Sequence, residues 1–228
     1  IYDNCVIVGN PKFDYWFKKQ IPNFNKVKET FDLEEGKLTI LYAQTYGNMS
    51  SIDDWIEEIN DLQKYYNVIV KLHHGTALRE SEKSRREYIK KNFKNVTSSQ
   101  HDLFTILKLS QLVITDNSGI IFDAMLAGKN ILLLNPASQN SIEESYGQQF
   151  LRKHLIQLNK GSDLRKYIDN KELFDKQKTI IEKFKSELNK YTDGNSGKRA
   201  AEEILKLLED EKANDNKFLL SLRHQIFS

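Results

Sequence analysis

Val113-Ile114-Thr115-Asp116-Asn117-Ser118-Gly119-Ile120-Ile121-Phe122-Asp123-Ala124 is the stretch that decides the fold. A β-branched apolar run ends at Thr115, and four small or polar residues carry the chain into a segment, 118–127, that is apolar nearly all round. That pattern predicts a strand running into a buried helix, and Ile131-Leu132-Leu133-Leu134 predicts the next strand. Working outward, further apolar runs at 5–8, 38–43, 68–72, 112–115 and 155–158 read as strands. Several are apolar on both faces, as in a strand covered by helices on each side. Between them, 52–66 places Ile52, Trp55, Ile56, Ile59 and Leu62 on one helical stripe, while 81–93 is a charged helix and 102–110 a short one. Strands alternating with helices predict an α/β fold: a Rossmann-like, mostly parallel sheet with helices on both faces.

Beyond Leu158 the pattern turns helical, with amphipathic segments at 163–168, 171–190 and 197–208 and a turn at Thr192-Asp193-Gly194-Asn195. Residues 209–216 read as a linker, and Phe218, Leu219, Leu222 and Ile226 as the apolar stripe of a terminal helix that docks on this domain or on a partner. The expected organisation is one domain over 1–208 followed by that linker and terminal helix over 209–228.

Composition narrows the function. The 228 residues carry 34 Lys+Arg against 32 Asp+Glu, a net charge of +2, which gives no basic excess for general nucleic-acid binding. With 39% hydrophobic and 11% aromatic residues the chain can bury a core, so disorder is excluded as the default. No apolar run approaches the roughly 20 residues that span a bilayer. The single Cys5 excludes an internal disulfide framework and a cysteine metal cluster. Its neighbours Val6-Ile7-Val8 predict a thiol buried in a strand, in keeping with a reducing, cytoplasmic setting. The chain opens without Met and without a signal pattern, just before an expected strand, and is expected to be part of a longer protein.

Ligands of open α/β sheets sit beyond the carboxyl ends of the strands, which directs attention to four loops. At Thr115 to Asp123, Asn117 or Ser118 can cap the helix, Gly119 lets the backbone approach a ligand, and free N–H groups favour a phosphate. Asp123 can then meet a ribose or polyol hydroxyl; an ordinary capped helix is the bland alternative. In Lys71-Leu72-His73-His74-Gly75-Thr76, histidines at a strand end suit acid–base work or a place beside phosphate, or are simply structural. Adjacent histidines point in different directions and no Cys or HxxxH pattern accompanies them, so no metal is expected. Thr45, in Tyr42-Ala43-Gln44-Thr45-Tyr46-Gly47, can bond a phosphate or diol or belong to a surface turn. Gly9, in Val8-Gly9-Asn10-Pro11, allows a tight strand-to-helix passage. GxGxxG, GxxxxGK[ST] and GxSxG are all absent. The charges of 81–91 read as a solvated helix face.

Taken in order, these loops resemble the carboxyl-terminal, nucleotide-binding half of the CDP-glycerol glycerophosphotransferases, the teichoic-acid polymerase family. The family's Gly-x-Pro-x-x-Asp is matched by Gly9, Pro11 and Asp14, and its Leu-Tyr-Ala-Pro-Thr-aromatic block by Leu41 to Tyr46 with Gln44 in place of Pro. Its Lys-x-His-Pro is matched by Lys71-Leu72-His73 with His74 for Pro, its Thr-Asp-Tyr-Ser-Ser…Phe-Asp by Thr115 to Asp123, and its Asp-Gly-x-x-x-x-Arg resembles Asp193, Gly194 and Arg199. The resemblance implies one half of a GT-B fold and a transferase of cell-surface polymer synthesis. Its donor would be a nucleotide diphosphate, CDP-glycerol or a nucleotide sugar, and its acceptor a polymer or glycolipid. An amino-terminal domain would be missing here, no cofactor would be needed, and the site would be cytoplasmic or peripheral at the inner membrane face. It implies a catalytic or diphosphate-facing role for His73 and functional positions at Ser118 and Asp123; with the loop readings, the expected substrate contacts are Gly9, Thr45, His74, Thr115, Asp116, Asn117, Ser118, Gly119 and Asp123. Asn117 and Gly119 depart from the family, and Thr115 to Ala124 also resembles the Thr-Asp-Ser-Gly-Gly-Ile-Gln-Glu-Glu-Ala segment of UDP-N-acetylglucosamine 2-epimerases. The alternatives are therefore an epimerase-like or sugar-nucleotide glycosyltransferase domain, or a non-catalytic nucleotide-binding module.

Overall fold

The computed structural model describes residues 5–97, 101–137 and 146–209. The strands are β1 (Thr39–Ala43), β2 (Asn67–Val70), β3 (Asn95–Val96), β4 (Leu112–Thr115), β5 (Asn130–Leu134) and β6 (Ile156–Leu158). The helices are α1 (Asp14–Phe17), α2 (Phe24–Lys28), α3 (Ile52–Leu62), α4 (His74–Leu78), α5 (Lys83–Asn92), α6 (Leu103–Leu109), α7 (Ile120–Leu126), α8 (Tyr146–His154), α9 (Leu164–Ile168), α10 (Lys171–Leu188) and α11 (Ser196–Glu209). They fall into two compact units, Ile21–Leu188 and the pair of chain ends Ile1–Gln20 with Asn189–Ser228.

The larger unit holds the whole sheet, in the order β3-β2-β1-β4-β5-β6 with every pairing parallel. This is the Rossmann-like architecture that the alternating pattern predicted. Every residue of β1, β2 and β4 is buried, which explains why these strands read as continuous apolar runs. On one face Ile40, Tyr42, Val68, Val70, Leu112 and Ile114 pack with the predicted stripe of α3, with Ile89 and Phe93, and with Leu164 and Ile168 of α9. The alternate residues Leu41, Val113, Ile131 and Leu133 are equally buried and turn the other way, while α6, α7 and α10 lie against β1, β4 and β5. The strand order reverses between β1 and β4, so the crevice where such folds bind ligands opens beyond Ala43 and Thr115.

Side-chain amides complete the sheet where the ladder runs out. Asn67 accepts from the Glu34 N–H and donates to its carbonyl, and Asn95 does the same at Asp32, which fastens the 32–34 segment against the starts of β2 and β3. Gln177 of α10, buried, accepts from Ile131 N–H and donates to Ile131 C=O.

The smaller unit brings together the first and last motifs of the resemblance. The Asp14 carboxylate accepts from the N–H groups of Ser196 (2.9 Å) and Gly197 (2.8 Å) and so caps α11 from outside the helix. Arg199 donates to Val8 C=O and, through both terminal nitrogens, to Asp193, which holds the Asp193 carboxyl well below the usual range. Gly9, at φ +96°, sits where a Cβ would overlap the Ser196 hydroxyl. Its lack of a side chain lets Ser196 pack against it within this unit.

Several expectations change. Residues 5–8 form no strand, and Cys5, Val6 and Ile7 are exposed. Four apolar residues in a row carry no period that separates a strand from an extended arm. The two-residue β3 and the helices α4 and α8 lay outside the predicted elements. The linker and apolar stripe expected at 209–228 lie, apart from Glu209, outside the described residues. Among the described residues no helix is long and apolar enough to cross a membrane, and no cluster of His, Cys, Asp and Glu is arranged for a metal ion.

Candidate active site

The loop 44–51 after β1 carries Thr45 and neighbours His73, His74, Asp116 and Asn117 among the predicted site residues. Two buried carboxylates hold it. Asp116, at the end of β4, accepts from Thr45 N–H at 2.8 Å through one oxygen, and from Ser51 N–H and Ser51 Oγ–H, both at 2.8 Å, through the other. Tyr42 Oη lies 2.9 Å from Ser51 Oγ and donates to it, since the serine proton is directed at Asp116. Burial pushes the Asp116 carboxyl up to about 6 against these donors. Thr115 is also fully buried and donates to Ala43 C=O at 2.6 Å. The Thr115 hydroxyl is thus bonded to the end of β1 and the Asp116 carboxylate to the loop that follows it, so both side chains meet the fold itself.

The second carboxylate is Glu82, at the start of α5. It accepts from Gly47 N–H and Thr76 Oγ–H and pairs with Arg85 at 2.9 Å. Arg85 continues to Asp53 on α3 and to Gly47 C=O. The charges of 81–91 read as a solvated face, yet Glu82 is only 4% exposed and belongs to the site's support. Gln44, where the family's block has Pro, is buried, and neither of its amide atoms has a hydrogen-bond partner among the described residues.

His73, at the end of β2, meets the same loop. Its ring stacks on Tyr46 at 4.7 Å between centroids and 21° between planes, and His74 lies 4.0 Å from it. His73 Nδ1 accepts from Gly75 N–H at 3.0 Å, which caps α4. That leaves Nε2 to carry the proton of the neutral ring. Burial, with His74, Lys71 and Arg79 nearby, lowers the His73 pKa below its usual value, and Glu82 opposes them. The ring is thus set up as a neutral Nε2–H donor. Arg79 lies 4.5 Å over the Tyr46 ring and donates to its hydroxyl.

On the β4 side, Asn117 donates to Met49 C=O of the same loop and accepts from Arg152 of α8. Arg152 is 8% exposed and also donates to Asn135 at the end of β5. Ser118 is half-buried and Gly119 exposed at the start of α7, with Asp123 half-buried one turn on. The structure thus gathers Thr45, His73, His74, Asn117, Ser118 and Gly119 at the carboxyl edge of β1, β2 and β4, with Gly9 in the other unit. Sequence reasoning did not single out Ser51, Glu82 or Arg152. Nothing local marks Arg152, which reaches Asn117 from 35 residues away.

Comparison with known proteins gives this geometry its setting. The chain is 28% identical over 207 residues to a teichoic acid glycerol-phosphate primase of Bacillus subtilis (strain 168), covering 86% of this chain and 50% of that protein. It therefore spans about half the length of the curated relatives it matches. The wall teichoic acid polymerase TagF shares the fold, with a TM-score of 0.61 at 18% identity over 88% of this chain and 52% of the other. A UDP-GlcNAc 2-epimerase from Neisseria meningitidis is a more distant likeness, with a TM-score of 0.52 at 17% identity over 86% of this chain and 52% of the other. The family described as CDP-Glycerol:Poly(glycerophosphate) glycerophosphotransferase matches residues 1–206, and the chain belongs to that family.

Proposed function

We propose that this chain is the donor-binding part of a glycerophosphotransferase that uses CDP-glycerol in teichoic acid synthesis. The observation that carries the reading is His73. In a chain of this family it stands at the carboxyl end of β2 with Nε2–H free of any partner among the described residues. In the transfer, an acceptor hydroxyl attacks the glycerol-bearing phosphorus, the new P–O bond forms as the bond to CMP breaks, and the acceptor proton passes to a base. Charge grows on the departing CMP oxygen, and a fixed donor aimed at it lowers the barrier. His73 Nε2–H is that donor, and Ser118 with the Gly119 backbone hold the diphosphate. Thr115, Asp116 and Glu82 act at one remove by fixing the loop that carries Thr45 and Tyr46. The acceptor is a polymer or a glycolipid, and its binding site and the base lie in a longer protein containing this chain, working at the inner face of the membrane.

Calorimetric titration with CDP, CDP-glycerol, UDP and UDP-N-acetylglucosamine tests the donor class. Binding of the cytidine compounds in preference, weakened in Ser118→Ala, is the expected result; preference for the uridine compounds would overturn it. His73→Ala is expected to lower kcat of the longer enzyme on the order of 100-fold while leaving CDP affinity within about threefold, a difference of about 0.7 kcal/mol. A binding module without catalysis would have no rate to lose.

A further inference from the structure

We propose that Tyr46 is a positioning residue for His73: its ring, held by Arg79, keeps the imidazole turned with Nδ1 on the Gly75 N–H and Nε2–H as the atom presented to ligand. The inference rests on the reading of His73 as the donor to the leaving group and adds what makes it one. Three contacts converge on the Tyr46 ring. His73 stacks on it at 4.7 Å, the Arg79 guanidinium lies 4.5 Å over it, and Arg79 Nη2 donates to the Tyr46 hydroxyl at 3.3 Å. A Cβ added at Gly75 would lie 2.5 Å from Tyr46 Cγ, so glycine there lets the ring close on the turn that bonds His73. The residue that donates to Nδ1 is thus also the one that makes room for the clamp.

The consequence is chemical. With Nδ1 accepting from the backbone, the neutral ring has no lone pair to offer a substrate hydroxyl, and protonation at Nδ1 would break the Gly75 bond. His74, Lys71 and Arg79 face the ring and disfavour the cation, Glu82 favours it, and Tyr46 covers one face of it. His73 so held donates to a phosphate oxygen and does not serve as the base; the acceptor proton leaves by another group.

Long-range nitrogen–proton correlation spectra of the labelled chain read the tautomer and the titration of His73 directly. The wild type is expected to show the Nε2–H form titrating below the ordinary value of about 6.5. Tyr46→Leu is expected to mix the tautomers and raise the midpoint, and Gly75→Ala to do the same from the other side. Tyr46→Phe, which keeps the ring, should retain the wild-type tautomer. Arg79→Met, at an exposed position, is a milder variant that should move the midpoint in the same upward direction. An unchanged tautomer and midpoint in Tyr46→Leu would overturn the proposal. In the longer enzyme, Tyr46→Leu should lower kcat on the order of ten- to a hundredfold with KM nearly constant. A changed tautomer with an unchanged rate would leave the positioning intact and sink the assignment of His73 to the reaction.

Discussion

A carboxylate sealed from water is tolerable only when donors meet its oxygens, and Asp116 meets three from Thr45 and Ser51. Even so, burial leaves it titrating near 6, above its ordinary 3.8. A folded-state pKa above the unfolded one means that the native protein holds the proton longer. The stability this contributes is complete below about pH 4 and is lost as pH rises through about 6, a swing on the order of 3 kcal/mol. In Asp116→Asn that slope should vanish from urea denaturation series run between pH 4 and 7. Because the amide nitrogen would face N–H donors, the variant should also lose on the order of 1–3 kcal/mol near pH 4, where the native carboxyl is protonated. A wild-type slope retained by Asp116→Asn would assign the titration to another group. Thr115-Asp116 reads in the sequence as a ligand-facing pair because polar residues at a strand end usually meet solvent or substrate. Only the fold shows that β4 buries both against the β1 loop.

Among the elements, β5 shows how a strand survives where its neighbour is short. β6 pairs with β5 only from Leu132 to Leu134, so Ile131 lacks a β6 partner, and the Gln177 amide of α10 supplies both a donor and an acceptor to it. Gln177→Leu keeps the shape but strands two buried backbone groups. The expected cost is on the order of 2–4 kcal/mol, visible as a lower urea midpoint with an unchanged slope, and a loss below about 0.5 kcal/mol would show that water replaces the amide. Elements of this length and burial were legible in advance: the both-face apolar strands β1, β2, β4 and β5 and the α3 stripe announce themselves by period and run length. The short ones were not. Two residues of β3 carry no period, and α4 spans five residues starting at His74, where the cap is a histidine side chain that no propensity rule associates with a helix start. For the same reason His73 was readable as a site residue while Tyr46, which holds it, passed as part of a turn. Glu82 was hidden by its neighbours, since in a run of charges nothing distinguishes the one that folds inward.

At the scale of the molecule, the motifs that suggested the family divide into two kinds. Gly9, Asp14, Asp193, Gly194 and Arg199 serve the unit built from the two chain ends, where Asp14 caps α11 and Arg199 joins Val8 to Asp193. Thr45, His73, Asn117 and Ser118 belong to the sheet unit, Ile21–Leu188, which contains β1 to β6, both buried carboxylates of the β1 loop and the Tyr46–His73 stack. Recurrence in a family pattern therefore marks closure of a fold as readily as contact with a ligand, and sequence alone could not separate the two. The division makes a prediction about the whole chain. A protein of residues 21–188 keeps an uninterrupted sheet with both helical faces, so it should unfold cooperatively in urea and retain CDP binding within about tenfold of the full chain, a difference of about 1.4 kcal/mol. Asp14→Ala in the full chain, by contrast, should loosen α11 at a cost of about 1 kcal/mol and leave CDP affinity unchanged. If residues 21–188 fold but no longer bind CDP, the nucleotide site is not contained in the sheet unit, and the ligand-facing role expected of Gly9 gains support.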